Sequence, residues 1–224
     1  MRFANGCILS IALTLAGCAG SAHVAVPHQG IRSLQLQPLF EDGNRDPINR
    51  SLLPDRPTLE FRLNAGSLGW SKDWNPIELQ GAFAGYDTFT INLDAWVPVA
   101  SARALPPTKS RALQGMRVSP ADTRIARVYP SAYVPGSGRL SGRQLGKRSY
   151  LRNEDGTDML LAFFDRPCRV DGAIDPETRA SRIDFDIDIP AAGFYLLSLR
   201  EESPHKYRLV TQEQLHKLEV PTSF

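Results

Sequence analysis

Two-residue alternation of apolar and polar side chains recurs along this chain and restricts it to sheet-forming folds. Leu34 and Leu36 alternate with Gln35 and Gln37, and Leu59, Phe61 and Leu63 with Glu60 and Arg62. Phe89, Ile91 and Leu93 alternate with Thr88, Thr90, Asn92 and Asp94, and Ile183, Phe185, Ile187 and Ile189 with Arg182, Asp184, Asp186 and Asp188. A strand turns successive side chains to opposite faces, so each run carries one apolar and one polar face. Met159 to Phe164 is apolar throughout and predicts a central strand covered on both faces. Cys168–Ile174, Phe194–Arg200 and Tyr207–Thr211 are further expected strands. The single helix expected begins at Thr211, where Thr211-Gln212-Glu213-Gln214 fits a capping box and Leu215 and Leu218 follow at inward spacing.

Many short strands broken by Gly, Pro and Asp turns predict an all-β fold. The expected form is an antiparallel β-sandwich, immunoglobulin-like or jelly-roll-like, with at most one short C-terminal helix. The piece Ala192-Gly193-Phe194-Tyr195-Leu196-Leu197 resembles the Gly-x-Tyr corner that leads into a late strand of immunoglobulin-like domains. That likeness spans a few residues and implies no function. The length suits a single domain over residues 31–224. Val97 to Pro120, rich in Pro, Ala, Ser and Arg around Pro106-Pro107, is expected to be a long loop over 97–120.

The N-terminus is of another kind. Arg2 precedes an apolar run from Ile8 to Leu15, too short to span a bilayer, and Leu15-Ala16-Gly17-Cys18 closes it. This ending resembles the lipobox of bacterial lipoprotein signals. The resemblance implies removal of residues 1–17, a diacylglycerol on the Cys18 sulfur and a further acyl chain on its new amino group. One acyl chain binds a membrane marginally, whereas two or more anchor stably at about 0.8 kcal/mol per buried CH₂. Ala19 in place of an aspartate implies, by the same analogy, the outer membrane of the bacterial cell envelope, facing the periplasm. Residues 18–30 are small, polar and non-periodic and read as a flexible tether. His23 and His28 within it lack a geometry that would hold a metal. Cys7 leaves with the signal and Cys18 takes lipid, so Cys168 is the one free thiol expected and no intramolecular disulfide forms.

Charge is segregated along the chain. From Arg103 to Arg152 there are eleven basic residues and one acid, Asp122; from Glu154 to Asp188 ten acids face four arginines. One reading is a basic surface for an anionic glycan, an anionic lipid or an acidic envelope protein, with Arg139, Arg143, Lys147 and Arg148 as candidate polyanion-binding residues. The other is that the two segments lie together and neutralise each other. Nucleic acid is not an expected partner in this compartment.

Two further features bear on ligands. Trp70 and Trp74, with Asp73 and Asn75 between and beside them, suit a glycan-binding loop, in which indole faces stack on sugar rings; alternatively both indoles close one end of the core. Asp184, Asp186 and Asp188 lie ~6.8 Å apart along a strand, too far to share one ion, so cross-strand arginines are expected instead; a calcium site with Asp171 or Asp175 is the alternative.

Catalytic signals are sparse. Cys168 stands between Arg166 and Arg169, which would favour a thiolate, but only His205 and His216 lie outside the tether as bases. A buried strand cysteine is the other reading. The chain has no G-x-S-x-G and no H-E-x-x-H, and Gly136-Ser137-Gly138 lacks the Lys-Ser/Thr of a phosphate loop. The expectation is a lipid-anchored, non-catalytic binding or scaffolding protein of an envelope or secretion assembly, without cofactor or metal. Alternatives are a glycan- or lipopolysaccharide-binding module and a cysteine-dependent enzyme.

Overall fold

Apolar residues at every second position of Ser33–Glu41 (β1) bury Leu34, Leu36 and Phe40 and leave Ser33 and Gln35 outside, and the same rule builds most of the molecule. The computed structural model describes residues 30–41, 58–66, 68, 77–84, 87–107, 115–134, 143–144, 148–174, 181–212 and 217–223. After β1 come β2 (Thr58–Ala65), β3 (Ile77–Ala84) and β4 (Phe89–Asn92). A 3-10 turn (Leu93–Trp96) and one helix, α1 (Val97–Arg103), lead to β5 (Met116–Ser119) and β6 (Ile125–Val134). Three two-residue strands follow: β7 (Arg143–Gln144), β8 (Arg148–Ser149) and β9 (Leu151–Arg152). The remainder is β10 (Asp158–Phe164), β11 (Cys168–Ile174), β12 (Arg182–Ile189), β13 (Gly193–Ser203), β14 (Lys206–Gln212) and β15 (Lys217–Ser223).

The all-β expectation holds. The strands form one branched sheet whose main path runs β4-β1-β15-β9-β10-β13-β14-β12-β11-β5. One edge of β10 is shared: Asp158 and Met159 pair with β9, and Leu161 to Phe164 pair with β6, which carries β2 and β3 beyond it. The sheet is mixed rather than antiparallel throughout. The hairpin after β13 inserts β14 between β13 and β12; being antiparallel to β13, it runs parallel to β12. β1 and β15 form the second parallel pair, in register from Gln35–Lys217 to Glu41–Ser223.

β10 and β13 form a wall between two cores. Met159, Leu161 and Phe163 of β10 join Phe194 and Leu196 of β13 in a cluster with Phe61, Leu63, Trp96, Leu34 and Leu218. Leu160, Ala162 and Phe164 join Tyr195 and Leu197 in a second cluster with Val170, Ile187 and Leu209. Successive residues therefore serve opposite cores, as the unbroken apolar run of β10 predicts. At the far edge, β5 approaches β11 through Gly115 and Gly172. Both have positive φ, 104° and 100°, and a Cβ on either would collide with the other strand's backbone.

The Gly-x-Tyr corner is present in its hydrogen bond: the Tyr195 hydroxyl donates to the Ala191 carbonyl at 2.9 Å. The expected C-terminal helix does not appear among the described residues. Thr211 and Gln212 close β14, Leu218 lies in β15, and the Thr211 hydroxyl donates to the Asp188 carbonyl at 3.2 Å rather than capping a helix. Pairing with β1 satisfies the β15 backbone and buries Leu218 and Val220, which outweighs a local capping signal. Helix α1 lies inside the stretch expected to be a loop. Pro98 sits in its first turn, where a missing N–H costs nothing, and Ala100 and Ala104 face the core.

Candidate functional site

Several residues singled out from the sequence lie outside the described residues: Cys18, Trp70, Asp73, Trp74, Asn75, Arg139, Lys147, Asp175 and His216. Arg143 pairs with Val134 at the start of β7, and Arg148 pairs with Ser223 at the start of β8; their side chains also lie outside the description. No helix among the described residues is long and apolar enough to cross a membrane.

The acidic strand β12 meets cations of this same chain. Asp171 of β11 stands directly across from Asp186, an unfavourable like-charge pair. Arg117, opposite Asp171 on β5, brings its Nε to 2.6 Å from the Asp171 carboxylate, and Arg169 brings an Nη to 2.5 Å from Asp186. Asp184 accepts from Arg182 at 2.8 Å and from Lys206 at 3.3 Å. The hydrogen bond from Arg182, reinforced by Lys206, holds the Asp184 carboxyl below the usual range. Lys206 also reaches Glu202 at 2.8 Å. Each such exposed pair contributes about 0–1 kcal/mol. The described residues hold no group of three metal-ligating side chains. Of the ladder, Asp186 meets a cross-strand arginine, Arg169, and Asp184 meets Arg182 of its own strand and Lys206 of β14; Asp171, the calcium candidate, is engaged by Arg117.

The basic segment divides by role. Arg117 is paired with Asp171. Arg127 on β6 is half-buried, and burial lowers its guanidinium to about 10, opposed by Tyr129 and Asp158; it remains charged at neutral pH. Arg103 and Arg124 are exposed. Arg152 reaches Glu41 at 2.6 Å and Glu219 at 2.8 Å, with side-chain exposures of 13%, 2% and 26% for Arg152, Glu41 and Glu219. Its Nε gives Glu219 a second bond at 3.0 Å, and the Tyr150 hydroxyl stands 3.5 Å from Glu41. Burial alone would lower the Arg152 pKa, but the bonds from both carboxylates raise it. Sequence reasoning missed this cluster. Glu41 follows the buried Phe40, so two neighbours in β1 are both buried and the alternation that guided the reading fails there.

Cys168 is 6% exposed within the second core. Burial, with Asp165 and Asp188 adding, pushes its thiol from 9.0 up to about 12, against a weaker opposite pull from a Thr123 hydrogen bond. The flanking arginines act elsewhere: Arg166 pairs with Asp122 and Asp165, and Arg169 with Asp186. A thiol raised in the folded state stabilises the fold fully below about pH 9, and that contribution is lost as the pH climbs toward 12. We expect a thiol reagent at pH 8 to leave Cys168 unmodified in the native protein and to modify it rapidly in denaturant. Equal rates in the two states would contradict its burial. His205 sits in the exposed turn between β13 and β14, at φ 65°.

Compared with protein-family models, curated proteins and solved structures, the chain matches none.

Proposed function

We propose that this chain is a lipid-anchored protein of the bacterial envelope with a non-catalytic binding or scaffolding role. The observation that carries the reading is the Leu15-Ala16-Gly17-Cys18 ending of a short apolar segment. The fold supports the non-catalytic part through Cys168, the residue on which the enzyme alternative rested: a buried thiol with a raised pKa is a poor nucleophile. Asp184 and Asp186 of the acidic ladder, and Asp171 beside it, are likewise engaged by cations of the same chain. Within the basic segment Arg117 and Arg152 are committed to carboxylates, and the candidate polyanion-binding residues Arg139, Arg143, Lys147 and Arg148 have side chains outside the described ones.

Mass spectrometry of the mature N-terminus should find an acylated Cys18, and Cys18→Ser should accumulate as an unprocessed precursor. Normal maturation of that variant would overturn the anchor. The binding role is tested by cross-linking the acylated protein in its membrane. Recovery of no envelope component beyond the level of the Cys18→Ser control would count against it.

A further inference from the structure

Among the described residues, two large hydrophobic side chains are exposed, Val99 at 38% and Leu105 at 51%. Both belong to one short stretch, and that stretch stands where the N-terminal segment joins the fold. Ile31 donates its N–H to the Phe194 carbonyl at 2.7 Å, and Gly30 packs so closely on Phe194 that a Cβ there would strike its backbone. The Arg32 carbonyl accepts from the Leu93 N–H at 2.9 Å, and its guanidinium binds Asp94 at 2.6 Å. Residues 30–32 therefore lie beside the 3-10 turn that leads into α1. Leu105 lies at the same end of the wall. It bridges to Ile125, which pairs with Phe164, which pairs with Gly193, the neighbour of Phe194.

The chemistry of this end is apolar and basic. The exposed residues of α1 and its exit are Pro98, Val99, Ala102, Arg103, Leu105 and Pro106, and no acid occurs between Asp94 and Asp122. The neighbouring carboxylates are held by arginines: Asp94 by Arg32, and Asp122 and Asp165 by Arg166. The opposite end differs. Its turns and strand ends carry Glu154, Asp155, Glu201 and Glu202, of which Glu154 faces Lys217 and Glu202 faces Lys206 and Arg208.

We propose that this end rests on the bilayer surface that holds the anchor, with Val99 and Leu105 in the headgroup region and Arg103 on anionic phosphates. The inference rests on the lipid-anchor reading and adds an orientation to it. Eleven residues separate Cys18 from Gly30, a reach of at most ~40 Å, and the chain enters the fold at the apolar-basic end, so that end is the one attached to the anchor. Tethering holds the local concentration on the order of millimolar, so a patch too weak to bind alone is populated beside its membrane. Apolar insertion combined with cationic attraction is the pairing that interfacial contacts use.

The test uses the full acylated protein in vesicles of phosphatidylethanolamine and phosphatidylglycerol. A nitroxide is placed at Val99→Cys, Leu105→Cys or Glu201→Cys; the buried Cys168 does not compete for label. Collision with an aqueous relaxant should be several-fold lower at positions 99 and 105 than at 201, and collision with oxygen higher. Arg103→Glu should restore part of the aqueous access at 99. Equal aqueous access at all three positions, in protein whose N-terminal peptide carries the acyl mass, overturns the orientation while leaving the anchor intact. A peptide without that mass removes the anchor, and the orientation with it. Protection that fades on diluting the protein within the vesicles assigns the patch to a second copy of the chain and also overturns the proposal.

Discussion

Arg152→Met should lower stability by about 3–5 kcal/mol, because it leaves the Glu41 carboxylate buried and facing Glu219 with no cation between them. Most of that cost is the penalty of an uncompensated charge rather than the worth of the original contacts. For a chain of this size each kcal/mol shifts the melting temperature by about 2–4 °C, so a fall on the order of 10 °C is expected. The double variant Glu41→Met/Arg152→Met discriminates the cause. If an orphaned charge is responsible, removing Glu41 as well should recover much of the loss, since apolar replacements of buried ion pairs are often neutral. A double variant as unstable as the sum of its singles would show that shape, not charge, dominates at this position. Arg169→Ala supplies the contrast: that side chain is half-exposed beside Asp186, and its removal should cost no more than about 1 kcal/mol.

Phe163→Ala should cost about 3–5 kcal/mol, the loss of a fully buried ring plus the cavity it leaves. The ring lies 5.1 Å from that of Phe194, tilted by 59°, a contact that the substitution also removes. Phe164→Ala should cost a similar amount from the opposite core, where Tyr195 stands edge-on at 6.1 Å. The two cores share β10 and β13, so a cavity on either side should displace one common unfolding transition, followed by denaturant titration with two independent probes. A transition that splits in Phe163→Ala would mean that the cores unfold separately.

Much of this architecture was legible wherever the information is local. Alternation places Leu34, Phe61, Ile91 and Ile187 in strands and on their inward faces, because side-chain direction follows from backbone geometry alone. The unbroken apolar run of β10 predicts two-sided cover for the same reason. Locality also explains the errors. Thr211-Gln212-Glu213-Gln214 offers a helix cap, but the following strand gains a parallel partner 182 residues upstream in the pair Gln35–Lys217. The proline-rich composition after Trp96 reads as loop, although Pro98 in a first turn followed by Val-Ala-Ser-Ala-Arg was a helix-start signal.

The candidate site divides along the same line. A lipobox is a linear motif, so the four residues from Leu15 to Cys18 carry it whatever the rest of the chain does. Whether Asp171 and Asp186 bind a metal or arginines depends on strand register, which brings Arg117 across 54 positions. The Arg152–Glu41 contact spans 111 positions and breaks the parity of β1. Sequence by itself determined the all-β class, the facing of most core residues and the expectation of an anchor, since each rests on neighbouring residues. Tertiary structure alone decided which strands pair, that two cores share one wall, that Asp184 and Asp186 meet cations of the same chain, and that Val99 and Leu105 are exposed at the end of the fold where residues 30–32 enter. These depend on contacts between distant residues, and a hydrophobic pattern specifies that a face must be covered without specifying what covers it.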